Sequence, residues 1–413
     1  MSRYLAVLVL LMLGCSSASA ARFRWNAELE LGLLAGRGKR LVSTENNYAG
    51  ISLDGQFNAR YGRWRSWGRV TFDSRYDGSF GNADAEPDLR EFALKYSGKD
   101  WDFTVGRQAV VWGRADGVNP TNILGVQDTS RLAIWDDERY RGVDVAQLNW
   151  RPARGQQLSL LVIPHWRRSR LVATFEEQLA QVPTQRSDAI DTDNPGFALR
   201  YEQLGSGFDY SLTTGRFSDY APYLRFDPDN PSQLQRRFGE TWMFGGDFAW
   251  NPSSWVFRGE FAYLERESGG LTAPRDEFSA VLGAERELSE RVTMNLQFLH
   301  SRNDRLADPS LAGPLAPAVE LSGQVFRQQR RNYNGAAVNF TLLPSNFLGR
   351  LETTVVGFRG GEWLLRVRGE YSLGARGKLE ALGEHYRGRS GSTFDGLGDN
   401  NGFWVKWSYL FST

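Results

Sequence analysis

The chain of 413 residues has one cysteine, Cys15, and three histidines, His165, His300 and His385. A lone thiol excludes a disulfide within the chain. The histidines stand far apart and no HExxH-type spacing occurs, so no metal site or other cofactor is expected. His300-Ser301 is the one adjacent histidine–serine pair, and strand neighbours point to opposite faces, so no hydrolytic pair is assembled. No Gly-rich phosphate loop runs from a strand into a helix. No catalytic residue is therefore assigned, and the chain reads as a non-enzyme. An excess charge of one sign is also missing, with 49 Lys and Arg against 48 Asp and Glu. The basic residues do not form a compact nucleic-acid site, so no nucleic-acid partner is expected. Beyond the first residues there is no run of about 18 apolar residues, which excludes an ordinary membrane helix. Long stretches of helical period are scarce, and the mean hydropathy is −0.45.

What the chain does have begins with its first residues. Arg3, the apolar run Leu5 to Leu13 and Ala18-Ser19-Ala20 match a secretory signal peptide over 1–20. Leu13-Gly14-Cys15 is a partial lipobox, from which Met12 and Leu13 depart. Cleavage after Ala20 removes Cys15 and Arg3, leaving 48 basic against 48 acidic residues (49 − 1 = 48). Residues 21–413 then read as one unit without a domain boundary.

That unit alternates with a period of two. Near the C-terminus Phe403, Val405, Trp407, Tyr409 and Phe411 interleave with Trp404, Lys406, Ser408 and Leu410. At the start Phe23, Trp25, Ala27, Leu29, Leu31 and Leu33 oppose Arg24, Asn26, Glu28 and Glu30. Ile51, Leu53, Phe57 and Tyr61 oppose Asp54, Gln56, Asn58 and Arg60, and Val70, Phe72 and Tyr76 oppose Arg69, Thr71, Asp73 and Arg75. Trp255, Phe257, Phe261 and Tyr263 oppose Arg258 and Glu260, and Trp363, Leu365, Val367 and Tyr371 oppose Arg366, Arg368 and Glu370. One greasy and one wet face along every segment is the pattern of a transmembrane antiparallel β-barrel. A one-residue slip would turn Arg366 and Arg368 to lipid, at roughly 2–4 kcal/mol each at mid-membrane.

About 18 strands fit the pattern, with 16 as the neighbouring count. Connections at 36–47, 109–141, 164–195, 216–241 and 301–332 are long, and those at 62–65, 98–100, 251–254, 288–291 and 374–377 are short. Long extracellular loops alternating with short periplasmic turns give the topology. Tyr61, Tyr96, Trp101, Trp150, Tyr201, Phe208, Trp250, Trp255, Tyr371 and Phe411 lie beside the short turns, as an interfacial aromatic belt would. The expected location is the outer membrane of a Gram-negative bacterium. Expected partners are outer-membrane lipid and glycolipid, small solutes, and the barrel-assembly machinery through the C-terminal strand. An apolar outer face serves protomer contacts as well as lipid, so a homo-oligomer is left open.

The connection 109–141 is too long for a tight loop and too charged for a strand. As the third outer connection it is placed to fold inward and narrow the pore. Arg107, Arg114, Asp116, Asp128, Arg131, Asp136, Asp137 and Arg139 are the pore-constriction candidates, and Arg69, Asp73, Arg75, Arg258, Glu260, Arg366, Arg368 and Glu370 the pore-lining wall. These charges can set a local field that selects solutes, or brace the loop to the wall by ion pairs, and both roles can hold together. Arg167, Arg168 and Arg170, then Arg236 and Arg237, then Arg327, Arg330 and Arg331 form basic clusters near long loops. They could focus anions or contact glycolipid phosphates. Leu171, Phe175, Leu179 and Val182 recur at helical spacing, as a lid or a rim helix would.

Gly106-Arg107-Gln108, Trp112-Gly113, Asp116-Gly117, Asn119-Pro120, Asp128 and Arg131 resemble a segment of porin-like outer-membrane barrels of unknown function that are similar to alginate-export channels. The resemblance spans about a tenth of the chain. It implies a channel shaped by this segment and supplies no solute. An alginate exporter implies a strongly cationic conduit, whereas Glu28, Glu30, Asp54, Asp73, Glu260, Glu370, Glu380 and Glu384 are expected inside here. Passive and selective passage of small hydrophilic or amphipathic solutes is the primary reading. Polysaccharide export or surface assembly, and a closed structural barrel or adhesin, are the alternatives.

Overall fold

The computed structural model describes residues 23–412 apart from 39–45, 78–82, 116, 123, 171–183, 186–194, 220–222, 227–233, 267–271, 305, 307, 314–315, 326–327, 345–348, 390–391, 393 and 395–396. The expected leader at 1–20 and the helical spacing at 171–182 therefore lie outside the described residues.

Eighteen antiparallel strands form one sheet. They are β1 Arg24–Arg37, β2 Asn47–Tyr61, β3 Trp64–Asp77, β4 Ala83–Ser97, β5 Trp101–Gln108, β6 Val143–Trp150, β7 Gln156–His165, β8 Gly196–Gln203 and β9 Phe208–Ser218. They continue as β10 Glu240–Trp250, β11 Trp255–Arg266, β12 Glu277–Ser289, β13 Val292–Asn303, β14 Asn332–Leu342, β15 Gly349–Phe358, β16 Glu362–Leu373, β17 Gly377–Arg387 and β18 Gly402–Ser412. Each pairs with its sequence neighbours, and β18 pairs with β1 from Glu28↔Ser412 to Arg37↔Phe403, which closes the barrel. Closure removes the open edges that a membrane would not tolerate. No helix of the described residues is long and apolar enough to cross a membrane.

The outer face is greasy as the alternation requires. Phe244 is 64 % exposed and Phe298 63 %, and Leu282, Leu212, Trp25 and Phe403 stand out with them. Beside the short turns the aromatic rings meet edge-on or tilted: Trp64 lies 4.9 Å from Tyr96, Tyr96 5.4 Å from Trp101, and Trp250 5.6 Å from Phe257.

The segregation of loop length fails at two outer connections, and at the first of them β3 and β4 are joined by residues 78–82 alone. β15 and β16 are joined by residues 359–361 alone, where Gly360 and Gly361 both take positive φ. Strand β4 also starts earlier than its alternation suggests. Its first half, around Pro87, is polar and reads as loop, yet it pairs with β3, and a register shift follows at Arg69/Val70 opposite Leu89 and Glu91. Within the connection between β9 and β10, Tyr223–Phe226 pairs with Leu234–Arg237, and Leu234 and Gln235 pair in parallel with Thr184 and Gln185. One α-helix, Ala316–Val325, lies between β13 and β14.

Candidate functional site

The connection from β5 to β6 folds into the barrel and stands on two apolar feet. Val110, Trp112, Leu124 and Val126 pack against Val143, Val145, Leu161, Ile163, Ala198, Phe217, Met243 and Ala262, all buried. On β6 to β11, then, the inner wall is apolar at this level, and alternation fails because the loop supplies a second hydrophobic layer. Leu132 and Ile134 form the other foot, on Tyr48, Leu382 and Trp404. Trp404, on the mixed face of the last strand, is fully buried beneath it. Burying a side chain of this size stabilises docking by about 1.5–3 kcal/mol.

Polar anchors fix the register of the loop between these feet. The Glu260 carboxylate on β11 accepts from the backbone N–H groups of Arg114 (3.1 Å), Ala115 (3.1 Å) and Thr121 (2.6 Å), and from the Thr121 hydroxyl (2.8 Å). Arg114 donates to Asp247 at 2.7 Å and also to Glu202. The loop can turn back sharply because Gly113 has φ +100°, where a Cβ would overlap the Asn119 side chain. Asn122 donates to the Tyr140 hydroxyl at 2.9 Å and so ties the outgoing leg to the returning one.

The returning leg meets the opposite wall. Arg131 pairs with Asp73 on β3 at 3.1 Å. Asp136 pairs with Arg368 at 3.2 Å, with Arg366 at 3.6 Å and with Arg139 at 3.9 Å. Glu138 pairs with Lys406 at 3.1 Å and accepts from the Ile134 N–H at 3.0 Å. Burial opposes ionisation of the Glu138 carboxyl, but Lys406 and Arg131 overcome it and hold the group below its ordinary value. The Trp135 indole donates to Glu380 at 2.6 Å and lies 5.0 Å from the guanidinium of each of Arg350 and Arg368. Asp137, next to Asp136 in the chain, is exposed.

Arg90 is the anchor that alternation conceals. Register matches Val70 with Leu89 and Arg69 with Glu91, so Arg90 is the extra residue of a β-bulge. The bulge turns both Arg90 and Glu91 inward. Arg90 is fully buried and donates to Thr71 (3.1 Å), to Asp128 (3.1 Å) and to the Tyr140 carbonyl (3.2 Å). Glu91 accepts from the Ala109 N–H at 2.7 Å. Asp88, on the same strand, takes both arms of Arg141 at 2.9 Å and Arg167 at 3.0 Å. No residue-type signal marks Arg90, and Pro87 nearby is the sole hint of irregular pairing.

Of the expected constriction residues, Arg114, Asp128, Arg131, Asp136, Asp137 and Arg139 sit on the inward loop. Arg107 does not belong with them. Its register partners are Phe92 and Asp144, so it lies on the outer face with Val105 and Leu148, where it grips Asp144 through two bonds of 2.7 and 3.0 Å. Asp116 and the side chain of Arg75 lie outside the described residues. On the wall, Arg69 pairs with Asp54, Arg258 with Glu285 at 2.9 Å, Arg366 with Glu384 at 2.6 Å and Arg368 with Glu352 at 3.2 Å. Glu370 faces inward beside Arg350 and Glu380 in the register.

Some members of the basic clusters are drawn into the structure, while Arg168 and Arg331 are exposed. Arg167 engages Asp88, Arg170 lies 3.6 Å from Asp128, and Arg330 pairs with Glu362 at 2.9 Å. Arg327 and the side chain of Arg236 lie outside the described residues.

The barrel is similar to solved outer-membrane porins. OprD of Pseudomonas aeruginosa superposes with a TM-score of 0.56 at 10 % identity, covering 94 % of this chain and 95 % of that one. OccAB1 of Acinetobacter baumannii gives 0.58 at 8 %, covering 94 % and 96 %. OpdK of Pseudomonas aeruginosa, solved with vanillate, gives 0.56 at 12 %, covering 94 % and 99 %. At this identity the likeness is one of fold. No protein-family model matches the sequence, and no curated protein matches it. The resemblance carried by residues 106–131 thus rests on those residues alone. Their physical meaning is nonetheless plain: they build the turn at Gly113 and the seat on Glu260.

Proposed function

We propose that this protein is an outer-membrane channel for passive, selective passage of small hydrophilic or amphipathic solutes, with residues 1–20 removed as a leader. The observation that carries this reading is the connection 109–142 crossing the lumen and held at both walls. A closed structural barrel has no use for an inward loop that leaves ionisable groups such as Asp136 and Asp137 exposed. The porin folds to which the barrel is similar support the same reading. Export of a polyanionic polysaccharide fits less well, because Asp73, Glu260, Glu370, Glu380 and Glu384 share the inner surface with the arginines.

Loop bracing and charge selection are one arrangement here. Asp136 and the Arg366–Arg368 pair hold the loop, and the same groups set the field a passing solute meets. Neutralising Arg131 and Arg139 together (R131Q with R139Q) leaves Asp73, Asp136 and Asp137 less compensated. In planar bilayers the reversal potential under a salt gradient should move toward cation preference. An unchanged reversal potential removes the constriction from the account, and no conductance from the natural protein leaves a closed barrel.

A further inference from the structure

We propose that the inward surface of β1–β4, at the end of the barrel with short turns, is a binding subsite for a small polyhydroxylated solute carrying a phosphate group. The proposal rests on the channel reading above and names a solute class for it.

Register builds the subsite in rows. Arg24 pairs with Arg60, Arg60 with Arg65, and Arg65 with Lys95, so four cations stand side by side on four adjacent strands. Facing residues in a sheet are about 5 Å apart, and like charges placed so are destabilising. On the inner wall elsewhere, Arg69, Arg258, Arg366 and Arg368 are each matched by a carboxylate. In this row Lys95 alone is matched, by Asp102 at 3.0 Å. Arg65 donates to the Asn58 side-chain oxygen at 3.2 Å and lies 5.5 Å from the Trp67 ring. Arg24 and Arg60 are exposed and have no ion-pair partner among the described residues.

A small anion would relieve this repulsion. One carboxylate fills one guanidinium fork. A phosphate monoester offers three oxygens and nearly two charges, which suits several guanidinium groups at once.

The rows above supply the rest of the recognition. About 7 Å further along the strands come Asn26, Asn58 and Trp67, and one step beyond them Glu28, Gln56, Arg69 and Glu91. Residues of these rows, with Arg65, line a cavity of about 310 Å³. That volume is at the lower end for small-molecule sites. Amides, a carboxylate and an aromatic ring are the groups that hydroxyls and a sugar ring engage. Glu28 and Glu91 repel a second anion, which orients the phosphate toward the short turns.

The test is isothermal titration of the detergent-solubilised full-length protein with glucose 6-phosphate, glucose and inorganic phosphate. Glucose 6-phosphate should bind at least tenfold more tightly than either of the others. Arg60→Gln should weaken glucose 6-phosphate and inorganic phosphate about tenfold, as expected for a charged hydrogen bond, and leave glucose unchanged. Arg24→Gln should act in the same direction. Neither arginine has an ion-pair partner among the described residues, so both variants should fold as the natural protein does. Trp67→Ala should weaken glucose 6-phosphate and leave inorganic phosphate unchanged. Glucose 6-phosphate no tighter than phosphate or than glucose, or binding indifferent to these substitutions, overturns the proposal. Conductance of the unliganded protein judges the channel reading separately.

Discussion

Replacing Glu260 with alanine should release the outgoing leg of the loop while leaving the barrel intact. Its carboxylate answers three backbone N–H groups and one hydroxyl, all from residues 114–121. A buried donor left unanswered costs about 1–3 kcal/mol. Water entering the lumen recovers part of this, so a net loss of about 3 kcal/mol is a fair magnitude. That lowers the ratio of docked to undocked leg about a hundredfold. Glu260→Gln should be milder, since its remaining oxygen still serves one side of the pair while the amide faces donors on the other. Arg114 gives a direct readout, because trypsin cuts after arginine only where the backbone is free. In vesicles, Glu260→Ala should become cleavable at Arg114 and show larger, noisier single-channel steps. Continued protection at Arg114 with unchanged conductance would refute the assignment of Glu260 as the seat of the loop.

Acidification tests the opposite foot. Glu138 is held below its ordinary value, so its contribution to docking is complete above the unfolded value of about 4.3 and fades as pH falls through the lower folded one. Conductance should change reversibly with a midpoint below 4.3, and Glu138→Gln should show the acid behaviour already at neutral pH. A midpoint above 5 would contradict the Lys406 pairing. On the outer face, Phe244→Arg should lower barrel stability by about 2–4 kcal/mol in urea titrations in lipid, because it places a charge toward acyl chains. A neutral effect would place that face out of the membrane.

Strand order and the direction of each face are readable from sequence because lipid and lumen impose opposite demands on alternate residues. Phe403 and Phe411 against Lys406 and Ser408 say as much without coordinates. Two features escape that logic. The inner wall at Leu161, Ile163, Ala198 and Met243 is apolar because the loop, not water, covers it. Their strands therefore look doubly hydrophobic, and period two alone does not say what lies on the second side. Arg90 goes unnoticed and Arg107 is misplaced for a related reason. A bulge adds one residue and swings Arg90 inward, and the register at the rim turns Arg107 outward with Asp144. Charge type draws attention to Asp136, Arg366 and Arg368, which the structure brings together between loop and wall. It gave no hint of Trp135, held by Glu380 and two guanidinium groups, because contacts across a barrel leave no periodic trace.

In the proposed channel, residues 109–142 narrow an open passage. The direct measurement is single-channel conductance of the natural protein beside a variant in which 114–138 is replaced by a short Gly-Ser linker. The natural protein should show small, ion-selective steps and the variant several-fold larger, weakly selective ones. Equal conductance and selectivity in the two would contradict such narrowing.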